Sequence, residues 1–245
     1  MLIIPIMGET LLSQLVGMVD GIMVSSVGEV AISAVSLVNN FSAVIINLLT
    51  ALASGGSIVT SQLIGAGNRK EAKRSTGQVI TMSAMVSLAI SLLCLVFSKS
   101  LLGLFFGNVE KSVLDDAVTY FFYDALSYPL LALCAAGGAI LRSNGDSKTM
   151  FYISLLRNAI NIAGNAICIY LLKMGVAGVA IPTALSRLAG AVILMFIVMR
   201  KNQPLRPDTK DIFHINQRLM RKMLFIGLPT AIENSIFQLG RLMTL

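Results

Sequence analysis

Charge is what this chain has least of. Only 13% of its 245 residues are Asp, Glu, Lys or Arg, roughly half the share of a soluble domain. Nineteen basic and twelve acidic side chains cannot coat a water-facing surface of that size. Histidine occurs once, at His214 in a basic stretch, which removes His-ligated metal sites and His-dependent catalytic triads. The three cysteines, Cys94, Cys134 and Cys168, each lie inside an apolar run and share no metal-ligand spacing. They read as small buried hydrophobes. The N-terminus lacks a basic n-region, and its apolar stretch is too long for a signal peptide. Gly65-x-Gly67 is no dinucleotide loop, because no strand precedes it. These absences exclude a cytosolic enzyme, a secreted disulfide scaffold and a disordered chain, and no cofactor or metal is expected.

What the chain has instead is apolar length. Hydrophobic residues make up 56% of it, with a mean hydropathy of +0.81. They fall in blocks of about 20, enough to cross a hydrocarbon core ~30 Å thick. The blocks run over 2–24, 30–64, 77–97, 117–141 (with Pro129 as an expected kink), 150–172 and 179–199. A seventh begins near Met223. The reading is an all-α polytopic membrane protein: residues 1–201 a six-helix transmembrane lobe, 202–222 a cytoplasmic linker, and 223–245 a seventh helix opening a second lobe.

Loop charges set the orientation. One alternate set of loops carries Arg69, Lys70, Lys73 and Arg74, then Arg142 and Lys148, then Arg200, Lys201, Arg206, Lys210, Arg218, Arg221 and Lys222. The other carries only Lys99, Lys111 and Lys173. The positive-inside rule places the first set and the N-terminus in the cytoplasm, in a plasma-membrane protein. The net charge of +7 thus reflects orientation, and nucleic acid is not an expected partner. The later part of the linker reads either as a short helix on the membrane surface or as a solvated loop.

Polar residues inside the spans are the candidates for function. Asp20 lies some four residues from the outer end of the first span, ~6 Å deep at 1.5 Å per residue. It reads as a cation- or proton-exchanging group, with an interfacial Asp bonded to loop backbone as the alternative. It is expected to be the one ionisable group in an otherwise uncharged outer cavity. Glu9 returns to within ~20° of the same helix face, suited to a substrate pathway or to a structural role at the cytoplasmic end. Asn158, Asn161 and Asn165 fall within ~60° of one another on the fifth span, facing either a cavity or a helix that they glue. Ser36, Asn40, Asn47 and Ser54 form a comparable stripe on the second. Arg157 and Arg187 are deep charges expected to pair with acceptors inside the lobe.

The chain also repeats itself. The shift that carries Pro5 onto Pro229 carries Glu9 onto Glu233 and Gln14-Leu15 onto Gln238-Leu239. Pro, Glu and Gln are residues that lipid-facing helices avoid. Both copies would enter from the cytoplasm, so the second lobe is related to the first by a parallel repeat about an axis along the membrane normal.

These residues carry a family resemblance. Pro5…Glu9…Gln14…Val19-Asp20, Ser61-Gln-Leu-Ile-Gly-Ala-Gly-Asn-Arg-Lys-Glu-Ala72, Leu141-Arg-Ser-Asn-Gly-Asp-Ser-Lys148 and Gly175-Val-Ala-Gly-Val-Ala-Ile-Pro-Thr183 resemble, in order, the multidrug and toxic compound extrusion (MATE) transporters. The resemblance implies twelve spans in two lobes, of which this chain holds the first and most of helix seven. It implies a cation-coupling cluster at Asp20, Asn161, Asn165 and Thr183, with H⁺ or Na⁺ as coupling ion. Many members carry aspartate where Asn165 stands, so Asp20 would be the only carboxylate in that cluster. The expected function is cation-coupled antiport that exports amphipathic or cationic small molecules by alternating access, with the lipid bilayer as surroundings and a second lobe required. A lipid-linked oligosaccharide flippase and a non-transporting membrane fragment or subunit are the competing readings.

Overall fold

The computed structural model of the chain describes residues 3–106, 110–201 and 203–242; for 3–5, 104–106, 209, 234–235 and 237–242 it describes the backbone alone. All elements among the described residues are helical: α1 (Ile3–Ser25), α2 (Glu29–Gly65), α3 (Arg69–Val96), α4 (Ser98–Phe106), α5 (Lys111–Ser143), α6 (Ser147–Ala166), α7 (Ala177–Met199), α8 (Thr209–Phe213) and α9 (Gln217–Leu242). Four of them, α2, α3, α5 and α7, are long and apolar enough to cross a membrane by length and composition. At ~1.5 Å per residue, the 23 residues of α1 and the 26 of α9 also reach bilayer thickness.

Helix α5 is the axle of the bundle, packing on α2, α3 and α7, while α6 joins α1 to α7. Small residues on α5, among them Ala132, Ala136, Gly137 and Ala139, are buried, the packing that lets helix backbones approach where no hydrophobic effect drives them together. Hydroxyls add interhelical bonds. Ser57 on α2 donates to Ala139 O on α5 at 3.2 Å, and Ser91 on α3 to Ala125 O at 2.8 Å. Such bonds contribute ~0.6 kcal/mol each.

Helix α3 begins eight residues before the apolar block does. Arg69 to Arg74 read as a polar break, yet they are the first turns of the helix, capped by Asn68, whose Oδ1 accepts from Glu71 N–H at 3.2 Å. Asp146 caps α6 in the same way, accepting from Thr149 N–H at 3.1 Å. Hydropathy marks where lipid begins, whereas a cap marks where helix begins. Helix α4 lies beyond the block that ends at 97, and α5 starts at Lys111, six residues before the block at 117–141.

The linker is not a solvated loop. Gln78 on α3 donates its amide to Asp211 O at 2.7 Å and His214 O at 2.8 Å, and accepts from Asn216 N–H at 2.8 Å. Thr76 donates to Leu205 O at 2.9 Å, and Thr81 to Ile212 O. The linker is thus strapped along α3, with Phe213 86% exposed.

Beyond the strap, α9 starts at Gln217 and lies against α2. A Cβ on Gly55 would fall 2.6 Å from Met223 O and 2.8 Å from Gly227 N. The two glycines let these backbones touch.

Candidate functional site

Helix α1 ends beside the start of α2, and the antiparallel run of the bundle brings the end of α6 and the starts of α5 and α7 to the same level. A cavity of about 260 Å³ forms there, lined by Asp20, Ser36, Asn39, Tyr120, Thr183 and Arg187 among others. Asp20 is its carboxylate. Asn165, fully buried on α6, donates from Nδ2 to Asp20 Oδ1 at 2.8 Å. Turned so that both of its ends are satisfied, the Asn161 amide donates to both oxygens of Asp20 at 3.1 Å, and its oxygen accepts from the Thr183 hydroxyl at 3.1 Å. The structure therefore brings Asp20, Asn161, Asn165 and Thr183 into one cluster. The partners of Asp20 among the described residues are amides of α6 and not loop backbone, which sets aside the loop-bonded alternative.

Two features of α6 place those amides. Gly164 lies against α7, where a Cβ would meet Pro182 Cβ at 2.7 Å. The contact draws the turn carrying Asn161 and Asn165 onto the turn carrying Thr183. Directly after Asn165 the helix relaxes into a π turn, Ile167–Leu171, a distortion frequent at functional sites. Gly164→Leu should overpack this contact at a cost of about 1–3 kcal/mol. The check is thermal loss of helicity in detergent: an earlier transition is expected, and an unchanged one would mean that α6 and α7 have room to spare.

The donor set is unequal. Asp20 receives amide N–H groups, while Asn165 Oδ1, also buried, has no hydrogen-bond partner among the described residues. A carboxylate and an unpartnered acceptor oxygen are both oxygen donors, the ligand type that hard cations take. Asn158, two turns before Asn165, is buried with its Nδ2 unpartnered and makes no described bond to the cluster.

The cavity is not otherwise uncharged, as the sequence had suggested. Arg187 lines it, one turn beyond Thr183 on α7. Its Nη1 donates to Asp124 Oδ1 at 2.6 Å and to Ser127 Oγ. Asp124, 4% exposed on α5, accepts at its other oxygen from Ser42 Oγ at 2.6 Å, and Ser42 Oγ lies 2.9 Å from Tyr128 OH. Tyr120, one turn before Asp124, donates to Asn39 Oδ1 at 3.3 Å. Arg187 has the buried acceptor expected of it. Arg157 packs its stem against Gly190, and no ion pair of it is found among the described residues. Asp124 is the site residue that sequence reasoning missed, although it met the same criterion as Asp20, a carboxylate within an apolar block.

The remaining candidates lie elsewhere. Glu9 is at the opposite end of α1, 3.9 Å from Arg142 Nη1, and is tied to structure there. On α2 only Ser36 of the stripe reaches the cavity; Asn40 is exposed, and Asn47 and Ser54 are half-buried. Gln14, Pro229 and Glu233 are exposed, and the side chains of Pro5 and Gln238 lie outside the described residues.

The described helices thus form an apolar lobe with a small ionisable cavity at one end of the bundle. The MatE family model matches residues 5–167, and the chain belongs to that family. It is 31% identical over 243 residues to the uncharacterized transporter YisQ of Bacillus subtilis, covering 97% of this chain and 52% of the relative. It is 30% identical over 247 residues to the probable multidrug resistance protein NorM of Thermotoga maritima, covering 99% and 52%. A solved outward-facing multidrug resistance MATE transporter of the MOP superfamily superposes with a TM-score of 0.89 at 25% identity, over 95% of this chain and 51% of that one. The chain spans about half the length of the relatives it matches.

Proposed function

We propose that this lobe serves a cation-coupled antiporter that exports amphipathic or cationic small molecules from the cytoplasm across the plasma membrane by alternating access. A second lobe closes against it, and the N-terminus lies on the cytoplasmic side. The observation that carries the reading is the Asp20 cluster: one carboxylate bonded by Asn161 and Asn165, beside an unpartnered acceptor oxygen and open to a cavity. Such a group binds H⁺ or Na⁺ in one state of the transporter and releases it in another. The coupling cation is cargo, and no resident cofactor takes part.

The Asp124–Arg187 pair cancels its own charge, so Asp20 leaves the cavity with a net charge of minus one. A single monovalent cation neutralises it. The polar residues Ser36, Asn40 and Asn47 suit a substrate path of low specificity along α2. Export of a cationic dye by the two-lobed transporter in cells should stop when the driving gradient is collapsed, by a protonophore if H⁺ is the coupling ion or by a sodium ionophore if Na⁺ is. Export that survives both treatments would reject cation coupling.

A further inference from the structure

We infer that Asp124 is a positioning residue for the exchange site: it holds the Arg187 guanidinium away from Asp20 and so keeps that carboxylate free to take and release a cation. The inference rests on the reading of Asp20 as the exchanging group.

Arg187 and Asp20 line one cavity, and the chain of contacts between them is short. Thr183 stands one turn before Arg187 on α7 and is bridged by Asn161 to Asp20. A helical turn is ~5.4 Å, a distance that the long arginine stem covers by a change of rotamer. Asp20 is the acidic group among the residues lining the cavity, and its charge would favour such a swing. In the structure the guanidinium is instead bound to Asp124 Oδ1 at 2.6 Å and to Ser127. Asp124 is itself fixed through its second oxygen by Ser42, next to Tyr128. The groups facing Arg187 are therefore Asp124 and Tyr128 on α5, Tyr120 one turn away, and Asp20 across the cavity.

Without Asp124, Arg187 and Asp20 become the remaining opposite charges in a space of low dielectric, where attraction is strong. A guanidinium does not give up its proton, so it remains a competitor of both H⁺ and Na⁺ for the carboxylate it pairs with. A buried ion pair adds little stability over apolar residues of similar volume. A lobe that needed only filling between α5 and α7 would not require this one.

The test uses the purified 245-residue chain in lipid nanodiscs with dicyclohexylcarbodiimide, an apolar reagent that adds to protonated carboxyls within membranes; mass spectrometry reads the Asp20 peptide. Wild-type Asp20 should label. In D124N its labelling should fall by about tenfold or more, equivalent to about 1.4 kcal/mol, and in D124N/R187Q it should return to the wild-type level. Equal labelling of D124N and wild type would overturn the inference, and so would a double variant that stays unlabelled. A D124N chain that fails to fold while D124N/R187Q folds would also overturn it, because Arg187 would then be out of reach of Asp20. If neither variant folds, Asp124 is a packing requirement and the inference falls. A wild-type chain in which Asp20 never labels would overturn the exchange reading itself.

Discussion

Proteoliposomes that hold these 245 residues and no complement should show no gradient-driven movement of substrate. The lobe can fold, since each helix satisfies its own backbone and α5 offers a buried axle for its neighbours. Alternating access needs more, because one lobe has to rock against another. Apolar surface is left open on the two helices, α1 and α9, that make few contacts with the rest of the lobe beyond one neighbour each. On α1, Leu11, Leu15, Met18 and Ile22 are more than half exposed, and on α9 so are Phe225 and Ile236. Ser13, Gln14 and Asn40 are polar residues with no wall opposite them. Co-expression with a second six-helix half from a relative should restore dye movement. Robust transport by the chain alone would contradict this account and point to a homodimer whose two copies act as the two lobes.

Much of the fold was legible because lipid imposes a length. The blocks at 2–24 and 30–64 became α1 and α2 within one residue at each described end. Helix α3 was read short, since Arg69 to Arg74 are charged, and only the Asn68 cap shows that a water-exposed segment is helical. The sequence leaves the linker open between a surface helix and a loop for a related reason. Gln78, Thr76 and Thr81 sit at the edge of an apolar block, and their bonds to the strap span a large stretch of chain. Such pairing is tertiary and leaves no local pattern.

The site was legible unevenly. Asn161 and Asn165 share a face by helical arithmetic, and Asp20 announced itself as a charge in lipid. Their meeting with Thr183 came from family resemblance and not from spacing. Asp124 lies among Tyr120, Phe121, Phe122 and Tyr123, and its partner Arg187 is on another helix. Each buried charge was a warning that the other existed, but periodicity on one helix cannot say which residue of another it meets. Asn158 shows the converse: it shares the face yet joins no described bond of the cluster.

The most direct measurement is dye efflux by Asp20→Asn in a transporter completed with its second lobe, compared with wild type at matched abundance. The substitution keeps the size of the side chain and leaves one carbonyl oxygen to accept from the α6 amides, so insertion and abundance should stay near wild type. The Asp124–Arg187 pair, on α5 and α7, is untouched. What is lost is the cavity's net negative charge and, on the proposed reading, the group that takes up a cation in one state and gives it back in the other. Efflux should fall to the background of cells without transporter. Full efflux by Asp20→Asn at normal abundance would remove Asp20 from the mechanism and contradict the account.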